Sequence, residues 1–192
     1  MACREIAPGQ KGRARAYAAF AASALALAAS GVLALTLAPE AAAASRCTIT
    51  GTSGPDVIVG TPRSDFICAG GGADVIRGRG GNDRILGGGG DDRVYGGGGD
   101  DRLFGGRGDD RLEGGTGRDI LHGRGGRDRL LGQRGGDRLF GGKSRDRFFG
   151  GPARDLLYAR DGNRERVDGD GGRDCARVDR GLDITISVHE LF

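Results

Sequence analysis

A nine-residue unit repeats twelve times between Gly51 and Tyr158 without a slip in phase. Its sixth position is always aspartate: Asp56, Asp65, Asp74, Asp83, Asp92, Asp101, Asp110, Asp119, Asp128, Asp137, Asp146 and Asp155. The eighth is always apolar: Ile58, Ile67, Ile76, Ile85, Val94, Leu103, Leu112, Leu121, Leu130, Leu139, Phe148 and Leu157. Glycine dominates positions one and four. Biased composition would raise the abundance of Gly, Ala, Arg and Asp, but it would not set their phase. Of the fifteen aspartates in this interval, twelve stand at position six and three (Asp91, Asp100, Asp109) at position five. A fixed period of this kind specifies a repeat architecture whose units stack on one another.

The unit Gly96-Gly97-Gly98-Gly99-Asp100-Asp101-Arg102-Leu103-Phe104 shows what each copy dictates. Its glycine half reaches positive φ and tight curvature. Arg102-Leu103-Phe104 has strand character, with Leu103 pointing inward between two outward residues. A turn of six and a strand of three predict a chain that coils, with two units per coil and a parallel sheet on each flank. The expected fold is all-β, a parallel β-roll or β-helix solenoid of about six coils, roughly 30 Å long at about 4.8 Å per coil. Collagen is excluded because glycine does not recur at every third residue.

In such a coil, position-six carboxylates of alternate copies stack. Asp74, Asp92, Asp110, Asp128 and Asp146 share one edge, and Asp65, Asp83, Asp101, Asp119, Asp137 and Asp155 share the other. Unit charges about 4.8 Å apart repel by roughly 1–3 kcal/mol per pair at effective dielectrics of 80 to 20. A hard divalent cation between coils would remove that repulsion and use the backbone carbonyls of the glycine turns. Oxygen-only ligands without a His or Cys cluster point to Ca²⁺ rather than zinc or copper. The core is thin, one aliphatic per nine residues, and ordering glycine-rich backbone is entropically expensive. The expectation is a metal-free chain that is largely disordered and a loaded chain that is folded.

The pattern Gly-Gly-x-Gly-x-Asp-x-aliphatic-x resembles the repeats-in-toxin (RTX, hemolysin-type) signature. Four consecutive copies, starting at Gly87, Gly96, Gly105 and Gly114, fit it without exception. The resemblance covers Gly51 to Tyr158 and implies a β-roll with calcium held between turns by position-six aspartates and loop carbonyls. It singles out Asp92, Asp101, Asp110 and Asp119 as the best ligands. Asp65, Asp74, Asp83, Asp128, Asp137 and Asp146 complete the main set, with Asp56 and Asp155 weaker at the ends. Roughly six to ten ions are expected. Other copies depart from the signature. Arg63, Ser144 and Ala153 replace the fourth-position glycine, and Arg79, Arg124 and Gln133 the second. Those loops are expected to bind more weakly. With no room for a toxin, protease or lipase domain, the chain looks like the short, stand-alone secreted proteins of this repeat class.

Residues 1–44 read as a secretory signal. Arg4, Lys11, Arg13 and Arg15 precede an uncharged stretch from Ala16 to Ala38, then Pro39 and the small run Ala41-Ala42-Ala43-Ala44-Ser45. The apolar stretch is also long enough to serve as an N-terminal membrane anchor. Either way the repeats, residues 45–158, are expected outside the cytoplasm, where calcium is abundant. Residues 159–192 form the third segment. Ala159 to Asp168 is ten residues long, and Gly169 to Asp174 resumes the pattern one residue out of phase. This segment is read as a degenerate repeat and C-terminal cap, with a sorting or partner-binding tail as the alternative.

An exported chain permits disulfides, and Cys47 and Cys68 flank the first repeats as the candidate pair. Cys175 is then left as a free thiol or a mixed disulfide. Arg93, Arg111, Arg129 and Arg147 should stack as a ladder on one sheet, with Arg84, Arg102 and Arg138 on the other. Such ladders suit cell-wall polysaccharide or another polyanion, or else simply offset neighbouring carboxylates; nucleic acid is not an expected partner. After Ser45 the chain has 25 basic and 24 acidic residues, near neutrality before metal. The outward stripe Leu86, Phe104, His122, Phe140 and Tyr158 fits self-association or cap packing better than ligand binding. Enzyme activity is not expected. The only histidines are His122 and His189, no nucleophile has a nearby base, and the glycine loops lack a phosphate-binding lysine.

Overall fold

A computed structural model describes residues 47–179 and 181–192. The signal or anchor expected over residues 1–44, with Cys3, lies outside the described residues.

Parallel strands alternate between two sheets as the chain winds. One sheet holds β1 (Ile49–Thr50), β3 (Phe66–Gly71), β5 (Arg84–Gly89), β7 (Arg102–Arg107), β9 (Ile120–Gly125), β11 (Arg138–Lys143), β13 (Leu156–Tyr158), β15 (Cys175–Arg177) and β17 (Glu190–Leu191). The other holds β2 (Val57–Val59), β4 (Val75–Gly80), β6 (Arg93–Gly98), β8 (Arg111–Thr116), β10 (Arg129–Arg134), β12 (Arg147–Ala153), β14 (Arg166–Gly172) and β16 (Ile184–Ile186). The molecule is an all-β, parallel solenoid with two units per coil. Among the described residues, nine strands on one side and eight on the other make about eight coils, not the six expected. The added strands are β1 before the repeats and β14 to β17 after them.

Position eight supplies the core. Every one of its twelve side chains is buried, and Val167 and Ala176 continue the column past the repeats. Partners stack like on like across the sheets, Leu103 on Leu121 and Val94 on Leu112. Through the repeats the ladder steps 18 residues per coil, as at Asp74 and Asp92. The ten-residue unit after Tyr158 lengthens one coil to 19, pairing Phe148 with Val167 and Leu157 with Ala176. The single added residue is absorbed in a turn, so the inward face is not flipped.

Strands are longer than the three residues read from side-chain pattern. Most span six, because positions one to three join the ladder. Gly88 pairs with Gly70 on one side and Gly106 on the other. Glycine brings a donor and an acceptor to a sheet as any residue does. Gly88 has φ of 116°, and a Cβ there would strike the Gly70 carbonyl oxygen. Side chains do occupy this conformation elsewhere: Arg79 (81°), Arg124 (83°) and Gln133 (70°) at position two, Ser144 (84°) and Ala153 (106°) at position four. The backbone of the unit is therefore kept where its sequence departs, at the expense of local strain.

Cys47 and Cys68 are joined by a disulfide with their Cα atoms 6.0 Å apart. No free cysteine occurs among the described residues, so the free-thiol reading of Cys175 falls. Outward on the nine-stranded sheet, the rings of Phe104, His122, Phe140 and Tyr158 stack with centroids 4.4–5.1 Å apart. Phe192, next to the last strand, meets the Tyr158 ring edge-on at 5.9 Å.

Because each core residue touches only its own and adjacent coils, truncation should be felt locally but heavily. Leu121→Ala, at a position with no exposure, should lower unfolding free energy by about 2–5 kcal/mol, read by denaturant melts in saturating calcium.

Candidate metal centres

Alternation along each strand turns positions six, eight and one to the interior, for example Asp92, Val94 and Gly96. Asp74 to Asp155 at position six are thus nearly inaccessible, with exposures of 0–2 %. Their two oxygens have different fates. Oδ1 accepts the backbone N–H of the aspartate one coil earlier. Asp92 Oδ1 takes it from Asp74 at 2.9 Å, Asp101 Oδ1 from Asp83 at 2.7 Å and Asp128 Oδ1 from Asp110 at 2.9 Å. These bonds run unbroken along both edges, from Asp56 to Asp146 and from Asp65 to Asp155.

Oδ2 is left over. It is buried without a hydrogen-bond partner in Asp74, Asp83, Asp92, Asp101, Asp110, Asp119, Asp128, Asp137 and Asp155. From Asp83 onward it leans toward the position-one glycine of its own turn, where a carbonyl from the next coil also points; the turn of Asp74 opens instead on the buried Ala69. A Cβ on Gly87 would fall 2.7 Å from the Gly105 carbonyl oxygen and closer still to Asp92 Oδ2. Gly96, Gly114 and Gly132 repeat the arrangement with the carbonyls of Gly114, Gly132 and Gly150, 2.5–2.8 Å from such a Cβ. Only a residue without a side chain leaves both oxygens facing open space.

Burial, more than any other cause, pushes these carboxyls up, and neighbouring carboxylates add to it. The N–H bond to Oδ1 opposes both. Asp92 and Asp119 rise to about 6, Asp101, Asp110, Asp137, Asp146 and Asp155 to about 7, and Asp128 to about 8. Asp74 and Asp83 rise for the same reason.

Asp56 and Asp65 differ. Asp56 Oδ2 accepts the Thr52 N–H at 2.7 Å and its hydroxyl at 3.0 Å, and Asp65 Oδ2 accepts the same pair from Thr61 at 2.7 and 2.9 Å. Protein donors satisfy these two carboxylates. Asp174 was not singled out as a ligand from the sequence, yet it continues the ladder. Its Oδ1 accepts the Asp155 N–H at 2.9 Å and its Oδ2 is buried and unpartnered. The resumed Gly-Gly-x-Asp pattern one residue out of phase was its signal.

The arginine ladder is in register on the eight-stranded sheet, Arg93 beside Arg111, Arg129, Arg147 and then Arg166. Position-five aspartates face solvent. Asp100 and Asp109 lie below the usual carboxylate range, held there by the backbone N–H and guanidinium of Arg118 and Arg127.

Buried, unneutralised oxygens at regular spacing, with no nitrogen or sulfur donor beside them, fit a hard cation. A family model for four copies of the RTX calcium-binding nonapeptide repeat matches the chain in overlapping windows. They cover residues 50–85, 68–103, 77–112, 104–139, 131–165 and 140–175. The chain belongs to the RTX calcium-binding nonapeptide-repeat family. The RTX match reaches residue 175, past the phase break, as the sheets do. Curated protein sequences gave no match.

The RTX ladder carries a pH signature. Burial raises its carboxyls above the ordinary aspartate value of about 3.9, so they stabilise the metal-free fold when protonated. That contribution is full below about pH 4 and lost as pH rises through about 6 to 8, the range from Asp92 to Asp128. In chelator and enough salt to screen the arginines, β-structure by circular dichroism should be greatest near pH 4 and fall across that window. Calcium should abolish the fall.

Proposed function

We propose that this chain is an exported calcium-binding protein whose RTX roll reaches its stable fold only when calcium is bound, outside the cytoplasm. The observation that carries the reading is the row of buried Oδ2 atoms without partners. Asp83, Asp92, Asp101, Asp110, Asp119, Asp128, Asp137, Asp146 and Asp155 would hold the ions, with carbonyl oxygens of the glycine turns, and Asp74 would be the weaker ligand because its turn begins with Ala69. Bound calcium would supply the positive charge that the interior lacks. Oδ1 of each aspartate would meanwhile keep its coil-to-coil hydrogen bond, so binding and coil stacking use opposite sides of one carboxylate. Export is supported by the basic, apolar and small-residue order of residues 1–44 and by the Cys47–Cys68 disulfide, which belongs to an oxidising compartment. Folding coupled to external calcium would keep the chain unfolded until it has crossed the membrane. RTX solenoids are structural calcium-binding folds, and no catalytic role is proposed.

A second reading concerns the surface. A cleft of about 510 Å³ is lined by Arg127, Arg129, Arg145, Arg147, Arg164 and Arg166, interleaved with Asp109, Asp128, Asp146 and Glu165. Calcium on Asp128 and Asp146 would leave the cleft strongly positive, suited to an acidic cell-wall polysaccharide. In that role the roll would be a calcium-stiffened envelope or adhesion protein.

A calcium titration of the chain from Ser45 onward, followed by far-UV circular dichroism with magnesium as control, tests the first reading. A cooperative coil-to-β transition with calcium alone is expected, and a calcium-indifferent fold would overturn it. Asp110→Asn keeps an acceptor for the Asp92 N–H but loses the anion. Its transition should therefore move to higher calcium, while its metal-free form is no less folded than the parent. For the surface reading, Arg129→Glu with Arg147→Glu should elute from heparin at clearly lower salt than the parent, both calcium-loaded. Equal elution would remove that reading.

A further inference from the structure

Past the last regular unit, the turn Asp161-Gly162-Asn163-Arg164-Glu165 has none of the glycine pattern of the repeats. It is nonetheless closely ordered. Asp179 Oδ2 accepts the N–H groups of Asp161 at 3.0 Å and Gly162 at 2.6 Å. Asp161 accepts the backbone N–H of Asn163 at 2.8 Å and its side-chain amide at 2.7 Å. Asp183 binds the N–H of Glu165 at 3.0 Å and of Asp179 at 2.7 Å. These bonds gather carboxylates from two successive coils. One oxygen from each of Asp161, Glu165 and Asp179 lies within 4.8 Å of the other two.

Glu165 is the member that needs explaining. It is 2 % exposed, and both its carboxylate oxygens are buried without a hydrogen-bond partner. As an anion it is unfavourable there unless a proton or a cation joins it: burial first, then the carboxyls of Asp183 and Asp161, push it up to about 9. Arg160 Nε stands 3.6 Å from Asp179 Oδ1 and offsets that carboxylate, but among the described residues no ion pair reaches Glu165. The spacing does fit a metal. With calcium–oxygen distances of 2.3–2.6 Å, two oxygens on one ion lie at most about 5 Å apart.

We propose that Asp161, Glu165 and Asp179 form a further hard divalent-cation site, for calcium, distinct in chemistry from the repeat sites. A repeat site offers one carboxylate oxygen per turn together with glycine carbonyls, whereas this one offers three carboxylates. Asp161 is exposed and gives an ion its way in, while Glu165 closes the inner side. Its effect would be to bind the irregular turn to the following coil at the place where the register lengthens.

Equilibrium dialysis with radioactive calcium on the chain from Ser45 onward tests it, with circular dichroism on the same samples. Glu165→Gln should bind one ion fewer than the parent at saturation while keeping the β signal. Equal stoichiometry would overturn the site. If Glu165→Gln does not fold, Asp161→Asn decides, since its residue is exposed and asparagine keeps an acceptor for one of the two Asn163 donors. It should also lose one ion, and equal binding again overturns the proposal. A parent that binds no calcium at all would instead sink the reading of the repeats. A crystal soaked in calcium should show an ion touching all three carboxylates, and density empty there with ions in the repeats would count against the site.

Discussion

The roll depends on how a position-six carboxylate divides its two oxygens. Oδ1 ties each coil to the one before through a backbone N–H, at 2.7–2.9 Å along the whole array. That bond requires the aspartate to face inward at the start of its strand. Facing inward strips the other oxygen of water. The hydrogen bond that sets the coil spacing thus also creates a row of buried anions, and the desolvation that raises Asp128 to about 8 measures how unwelcome the charge is. A proton or a cation is needed to complete the interior, and at neutral pH a hard cation is the better supplied. Structure and ligand demand come from the same atoms.

Much of this was written in phase. Asp at six and an aliphatic at eight are two residues apart, so in a strand they share a face, and eighteen residues per coil follow from pairing the two flanks. What escaped the sequence escaped for physical reasons. Strand length was underread because positions one to three are mostly glycine, whose hydrogen bonding leaves no mark in side-chain pattern. Gly88 and Gly106 are partners in the ladder just as Leu86 and Phe104 are beside them. The coil count stopped at Tyr158 because a strict nine-residue phase fails there. A sheet does not count residues, however. It matches neighbours, and a turn took up the extra one, leaving Val167 over Phe148 and Asp174 in the ladder. Glu165 stands two residues before the buried Val167, the same acid-to-aliphatic spacing as in the repeats, so its inward position was present in the sequence and was hidden only by counting ten residues in strict nine-residue phase.

Outward positions were legible as rows but not as contacts. The stripe on the nine-stranded sheet became a stack of parallel rings ending against Phe192, so part of its apolar surface is covered by the chain's own C-terminus. His122 inside that stack is held below the usual imidazole range, first by burial and then by Arg124. It therefore stays neutral at neutral pH and packs as one more flat ring.

The two N-terminal turns give the contrast that makes the metal argument internal to this chain. Asp56 and Asp65 occupy the same position in the unit as Asp74 and Asp83. Thr52 and Thr61 stand where the regular repeat has glycine, and each brings a backbone N–H and a hydroxyl to Oδ2. Those two carboxylates are absent from the unpartnered set, which begins at Asp74. One scaffold therefore solves the same electrostatic problem in two ways, by protein donors at the end and by open oxygen sites along its length. The end that is self-sufficient is also the end closed by the Cys47–Cys68 disulfide. Were the glycine turns only a way to make the chain bend, the threonine version would serve everywhere. Its restriction to the first coil, with bare oxygens kept through ten later aspartates, is what a chain built to take up cations along its length requires.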